Sequence, residues 1–264
     1  MPELAEVEFF RKQWDPGLGQ TIVSVDLHSS KRTFRGTDPR EIIRQLTGRR
    51  FLRSRARGKQ MLFQFSSGVW IGIHLGMTGK LRTAAATVVP EKHDHLILRQ
   101  ARQTLVFSDP RLFGRVRFHL GGAWPDWWQA NGPDILSSAF NEKFFIAFLD
   151  RHKRAPIKAV LLMQNGFPGI GNWMADEILW RSRIRPKRLA SRLVLLEKKN
   201  LFRQTKFVAK ESMRTLAKDY SDPPADWLIH QKWKPDGKCP KHRIPLKRGI
   251  IGGRSTVWCK HCQG

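Results

Sequence analysis

The chain reads as an α+β multidomain protein, and three observations carry that reading. Residues 51–120 break into short alternating strands separated by tight turns, residues 137–218 show helical periodicity, and all three cysteines lie in the last 26 residues. Many short strands with such turns predict a β-sandwich or barrel. The segment from Gly121-Gly122 to Pro133, with Trp124, Trp127, Trp128 and two prolines, reads as an interdomain linker whose tryptophans pack against a domain face. The expected division is 1–120 for an N-terminal β domain, 121–136 for the linker, 137–232 for a helical domain and 233–264 for a metal-binding hairpin.

Each element has a local reason. Leu4, Val7, Phe10 and Trp14 form one stripe of a helix over residues 3–14, ended by Pro16-Gly17. Ile22–Leu27 alternates as a strand. Asp38-Pro39 is a cap and first-turn pair for a short helix to about Leu46, closed by Gly48. Met61–Phe65 and Val69–His74 flank Ser66-Ser67-Gly68, Leu96–Arg99 and Thr104–Phe107 flank another turn, and Val116–Leu120 is a further strand. Helices are expected over Asn141–Arg151, Pro156–Gln164, Asn172–Arg183 and roughly Arg192–Leu216.

Charge narrows the function classes. Lys and Arg total 48 against 22 Asp and Glu, a formal net charge of +26 spread over the whole length. Such a surface implies a polyanionic partner, with nucleic acid favoured over an anionic membrane. No apolar run approaches the roughly 18 residues of a membrane span. The first helix is acidic and amphipathic rather than a signal peptide, which makes the cytoplasm the expected location.

Three motifs carry chemistry. Removal of Met1 from Met1-Pro2-Glu3 leaves the Pro2 ring nitrogen as a free secondary α-amine, with Glu3 beside it and Glu6 three residues on. Such an amine attacks a carbonyl carbon, the iminium it forms is permanently cationic, and Glu3 is placed as a general acid. The turn Asn165–Asn172 is glycine-rich and leads into a helix, so its amides and Asn172 suit a DNA phosphate. Cys239-x2-His242 and Cys259-x2-Cys262, sixteen residues apart, suit two knuckles gripping one tetrahedral Zn²⁺. His261 lies between two ligand cysteines and is expected to point away. Four protein ligands leave no open position, so this zinc is structural.

In this order the motifs resemble the formamidopyrimidine-DNA glycosylase/endonuclease VIII family, from residue 2 to the last cysteine. The matching pieces are the run from Pro2 to Glu8, then His74-Leu75-Gly76-Met77-Thr78-Gly79, Lys92-His93-Asp94-His95 and Ser108-Asp109-Pro110-Arg111-Leu112-Phe113-Gly114. Gly169-Ile170-Gly171-Asn172 and Arg254-Ser255-Thr256 complete the set. The resemblance implies an N-terminal β-sandwich with an N-terminal helix, and a C-terminal helix-two-turn-helix domain ending in a β-hairpin zinc finger. It implies a monomeric base-excision-repair glycosylase and abasic-site lyase acting on double-stranded DNA that contains a damaged base or abasic site, nucleoid-associated in a bacterium. Pro2 would be the nucleophile at C1′, Glu3 the acid that helps open the sugar, and Glu6 a support. Lys59, His74, Asn172 and Arg254 would hold phosphates, and Met77, Arg111 and Phe113 would fill the gap left by a flipped base. The expected chemistry is a proline Schiff base followed by β,δ-elimination.

The chain departs from the family pattern at four places. Ala5 stands where a second proline is frequent, Leu112 replaces a common second arginine, and His242 replaces a cysteine ligand. The segment Tyr220–Lys238 is short, with no sign of the long loop that covers 8-oxoguanine in the family, which points to ring-opened purines, oxidised pyrimidines or another lesion. Two rivals are helix-hairpin-helix glycosylases, which lack the terminal proline and the β domain, and a non-catalytic or repurposed DNA-damage-binding protein on the same scaffold.

Overall fold

The computed structural model describes all 264 residues. Contacts divide it into two compact units: Met1–Pro2 with Glu6–Ala130, and Glu3–Ala5 with Asn131–Gly264. The first helix, α1 (Leu4–Lys12), is shorter than the expected 3–14, but Leu4, Val7, Phe10 and, in the turn beyond it, Trp14 are all buried. Leu4 and Ala5 belong to the core of the second unit, while Val7, Phe10 and Trp14 belong to that of the first.

The first unit is a β-sandwich. In chain order it holds β1 (Ile22–Leu27), α2 (Pro39–Leu46), β2 (Phe51–Arg57), β3 (Gln60–Phe65), β4 (Val69–His74), β5 (Lys80–Ala85), β6 (Asp94–Gln100), β7 (Gln103–Ser108), β8 (Arg115–Leu120) and α3 (Asp126–Gln129). Two antiparallel four-stranded sheets run β1-β6-β7-β5 and β2-β3-β4-β8. Met61, Phe63 and Phe65 of β3 pair with Ile73, Ile71 and Val69 of β4, all buried. Period-two alternation sends these side chains to one face, where Leu96, Leu98, Leu105 and Phe107 of the other sheet complete the core. The outward Leu62 and Trp70 are covered by Trp124, Trp127 and Trp128. Strand β5 was not anticipated, because Lys-Leu-Arg-Thr-Ala-Ala places only Leu81 deep inside. Asp38 caps α2 as its spacing predicts, accepting from Arg40 N at 2.9 Å.

The second unit holds α4 (Glu142–Arg151), α5 (Ile157–Leu161), α6 (Asn172–Ser182), α7 (Leu195–Arg214), α8 (Leu216–Asp219), α9 (Ile229–Lys232) and the hairpin β9 (Lys247–Ile251) with β10 (Arg254–Trp258). Asn141 caps α4 by accepting from Phe144 N at 2.9 Å. Two predicted helices are shorter than expected. Helix α5 stops at Leu161 because Gln164 braces the following turn, its side chain accepting from Gly169 N and donating to Ile170 O. The long helix breaks at Thr215, whose backbone (φ −101°, ψ −85°) is not helical, and resumes as α8.

Candidate active site

Glu3 is 3% exposed and fixed at both oxygens. Oε2 accepts from Gly171 N at 2.8 Å and Met174 N at 3.1 Å, and Oε1 accepts from Trp173 N at 3.0 Å. These are orphan amides at the start of α6, and the helix dipole there favours a negative group. Gly171 is required for the approach, since a Cβ at that position would lie 2.2 Å from the Glu3 carboxyl carbon. Leu4 N donates to Gly169 O at 3.0 Å, so backbone as well as side chain ties the N-terminal segment to the turn. The sequence reading offered those amides to a DNA phosphate. The amides of Gly171, Trp173 and Met174 are taken instead by the chain's own carboxylate.

Beside this cradle, Asn172 Nδ2 donates to Ser255 Oγ at 3.2 Å, next to the exposed Arg254. Strand β10 is held to the helices by buried charge. Lys158 Nζ donates to Asp176 Oδ1 (2.7 Å), Thr256 Oγ1 (2.8 Å) and Ser255 O (3.0 Å). Lys232 Nζ contacts Asp176 Oδ2 and, at 3.3 Å, Ser255 O. Burial is the largest influence on Lys158 and pulls its ammonium down to about 8, against the pull of Asp176. Removing one partner of such a network leaves buried charge uncompensated.

In the first unit, several expected residues gather at one end of the sandwich. Lys59 follows Gly58 in the β2–β3 turn and is buried. The next residue, Gln60, pairs with His74 at the end of β4. His74 accepts from Gly76 N through Nδ1 at 3.0 Å. Burial first, then the charges of Lys59, Arg117 and Arg35, hold its imidazole down to about 4. It is therefore neutral at pH 7, with Nε2–H as its donor. The loop bearing Arg111 and Phe113 is clamped by Asp109, which is fully buried and accepts from Thr78 Oγ1 (2.7 Å) and Gly114 N (2.6 Å). Gly76 (φ +62°) packs so close that a Cβ would lie 2.4 Å from the Phe113 carbonyl carbon, which brings the Met77 loop against the Phe113 loop. Met77 and Phe113 are 42% and 44% exposed, and the Arg111 guanidinium lies 4.9 Å from the Phe113 ring. Large apolar groups left in water beside a cationic rim suit a surface that closes on something else. Pro2 and Glu6 group with this unit and are half-buried.

The metal cluster assembles as its spacing predicts. Ligand atoms of Cys239, His242, Cys259 and Cys262 lie within 4.8 Å of one another. Cys239 Sγ is 3.7 Å from both Cys262 Sγ and His242 Nδ1, and Cys259 Sγ is 3.9 Å from that nitrogen. A tetrahedral zinc with sulfur ligands needs separations of about 3.7 Å; three of these match, Cys262 Sγ lies closer to His242 Nδ1 at 2.9 Å, and the four atoms together could hold a metal ion. Trp180 Nε1 donates to Cys239 Sγ at 3.4 Å, orienting a ligand from behind. His261 stands outside the set, its ring 4.3 Å from that of His242.

Two family models match the chain: the formamidopyrimidine-DNA glycosylase N-terminal domain over residues 1–116 and the H2TH domain of the same protein over 131–222. Formamidopyrimidine-DNA glycosylases of Thermus thermophilus and Geobacter metallireducens are each 35% identical to it, the alignments covering 100% of this chain and 99% and 100% of theirs. The chain belongs to the formamidopyrimidine-DNA glycosylase family. Solved structures agree. Lactococcus lactis Fpg in a complex with DNA containing an abasic site superimposes with a TM-score of 0.88 at 26% identity, over 99% of both chains. The same enzyme with DNA containing an oxidised pyrimidine gives 0.89 at 27%, also over 99% of both.

Against this family's expected site, the structure brings Lys59, His74, Met77, Arg111 and Phe113 to one end of the first unit, and Glu3, Asn172 and Arg254 to one end of α6 in the second. Sequence reasoning missed the amide cradle, the Asp109 clamp and the trio Lys158, Asp176 and Lys232. The trio's only signal was an aspartate at Asn172 + 4, on the same helical face as the phosphate-turn asparagine.

Proposed function

We propose that the chain is a base-excision DNA glycosylase with abasic-site lyase activity, acting on double-stranded DNA that carries a damaged base or an abasic site. The observation that carries this is the Glu3 cradle: a fully oriented carboxylate on the residue covalently next to Pro2. Catalysis requires Met1 to be removed, because an acylated proline nitrogen has no nucleophilic lone pair.

Held by three amide donors, Glu3 stands as a carboxylate that takes the proton of the Pro2 ammonium. This frees the amine and arms Glu3 as an acid. The Pro2 nitrogen attacks C1′, the damaged base leaves with the bonding pair and takes up the N–H proton that Pro2 gives up, and Glu3 returns its proton to O4′ as the sugar opens to the iminium. The resulting iminium acidifies the C2′ proton. Its loss expels the 3′ phosphate, a second elimination expels the 5′ phosphate, and water releases the sugar fragment from Pro2. Extruding the nucleotide costs a few kcal/mol, offset by groups that fill the vacated space, the role of Met77, Arg111 and Phe113. Lys59, the neutral His74 through Nε2–H, Asn172 and Arg254 hold phosphates. With one Nδ2 hydrogen donated to Ser255 Oγ, the Asn172 amide has the second to offer such a phosphate. Zn²⁺ on Cys239, His242, Cys259 and Cys262 supplies folding energy to the hairpin that carries Arg254.

The lesion reading rests on Tyr220–Lys238. Trp227, Leu228 and Lys232 are buried, Leu228 N donates to Glu177 at 2.7 Å, and His230 Nε2 lies 2.9 Å from Pro223 O. These anchors support the reading that the segment carries no loop long enough to cover a base, in which case ring-opened purines, oxidised pyrimidines or another lesion are preferred to 8-oxoguanine. The test is a cleavage panel of duplexes carrying each lesion and an abasic site. Excision of the first two lesion types with β,δ-elimination ends is expected. Binding to every duplex with no strand cleavage would favour the damage-binding alternative, and 8-oxoguanine excised opposite cytosine as fast as the best lesion would overturn the lesion reading alone.

A further inference from the structure

Of the ten tryptophans, nine are buried or half-buried, and Trp233 is 65% exposed. Its exposure is not looseness. The Arg248 guanidinium donates to Lys232 O at 2.9 Å and contacts Lys234 O, bracing the backbone on both sides of the residue. One face of the indole lies over the buried Lys232 ammonium, 4.9 Å from the ring centroid. That ammonium contacts Asp176 and lies 3.3 Å from Ser255 O, and Ser255 Oγ meets the Asn172 amide at 3.2 Å. Ile250 pairs with Ser255 across the hairpin, projects from the same face and is 78% exposed. A largely exposed indole is thus linked through Lys232 and Ser255 to the proposed phosphate ligand Asn172 and to the neighbour of Arg254.

We propose that Trp233 is a base-stacking platform, flanked by Ile250, which takes an extrahelical base of the substrate strand. This rests on the reading that Asn172 and Arg254 hold that strand's phosphate. A base of the nucleotide whose phosphate is held there would be the one to meet the indole, whose contact with the Lys232 ammonium and whose braced backbone limit the freedom lost when a base covers it. Stacking reads the π-face rather than the hydrogen-bonding edge, so it tolerates many bases. The platform selects for planar, unpaired bases as a class and supplies contact area where no covering loop exists.

The test uses the full-length, zinc-loaded protein and a duplex with one unpaired 2-aminopurine whose sugar carries 2′-fluorine to block cleavage. Binding to the wild type is expected to quench the 2-aminopurine fluorescence. Trp233→Ala should abolish most of the quenching and weaken binding roughly ten-fold without changing its salt dependence, and Trp233→Phe should restore both. Arg254→Ala should weaken binding and lower the salt slope by about one. If Trp233→Ala binds and quenches as the wild type does while Arg254→Ala behaves as stated, the platform is wrong and the phosphate reading stands. If neither substitution alters binding, the phosphate reading itself fails.

Discussion

At the scale of single residues, Glu3 joins stability to the proposed chemistry. Its carboxylate replaces the side-chain cap that α6 lacks, since Gly171 at that position has none to give. Glu3→Gln keeps an acceptor for the amides and removes the acid, so the fold should persist. Excision of a damaged base should fall by roughly two orders of magnitude or more, read in single-turnover assays at a fixed concentration of folded protein. Gly171→Ala should reproduce the loss, because its Cβ displaces the carboxyl group. His74 gives a prediction of defined sign. Its folded-state value of about 4 lies below the ordinary 6.5. Between these the unfolded chain binds more protons, so this group's contribution is complete above about pH 6.5 and is lost as pH falls towards 4. Denaturant titrations at pH 7 and pH 4.5 should show a smaller acid loss in His74→Gln than in the wild type.

At the scale of elements, the hairpin β9–β10 depends on two devices, the Cys/His cluster at one end and the Lys158–Asp176–Lys232 network along β10. Stripping metal with a chelator, or substituting Cys259→Ser, should release the hairpin and with it Arg254. Affinity for an abasic-site duplex should drop and the salt slope fall by about one, while the β-sheet signal in circular dichroism persists. An unchanged affinity after complete metal loss would separate the cluster from DNA binding. What was legible from sequence follows the range of the forces involved. The Asp38 and Asn141 caps, the strand over Ile22–Leu27 and the two metal knuckles are local patterns and appear where expected. The Glu3 cradle joins residues 168 or more positions apart, so no local pattern announces it. Lys158 and Lys232 look like surface lysines until the fold encloses them around one aspartate. The helix over 156–164 was overextended because a side chain of Gln164, not a proline or glycine, ends it.

At the scale of the whole molecule, a net charge of +26 sets association with DNA. Affinity should decline steeply and linearly with the logarithm of salt concentration as counterions are released. The proposed phosphate ligands would partition that slope. Lys59→Ala and Arg254→Ala should each reduce it by about one. Asn172→Ala should weaken binding and leave the slope alone, because the amide is neutral. Fluorescence anisotropy between 50 and 200 mM salt, the span over which such contacts change most, resolves these cases. If Asn172→Ala changed the slope as much as Arg254→Ala, the neutral-contact assignment would be wrong.

The central claim is that Pro2 is the nucleophile and Glu3 its proton partner. Borohydride reduction of the protein with abasic-site duplex, followed by mass mapping of the adduct, tests it most directly. The account predicts a covalent protein–DNA adduct on the Pro2 nitrogen of a chain that has lost Met1, absent in Pro2→Gly and retained in Glu3→Gln. An adduct on a lysine, or fully active protein that still carries Met1, would contradict it.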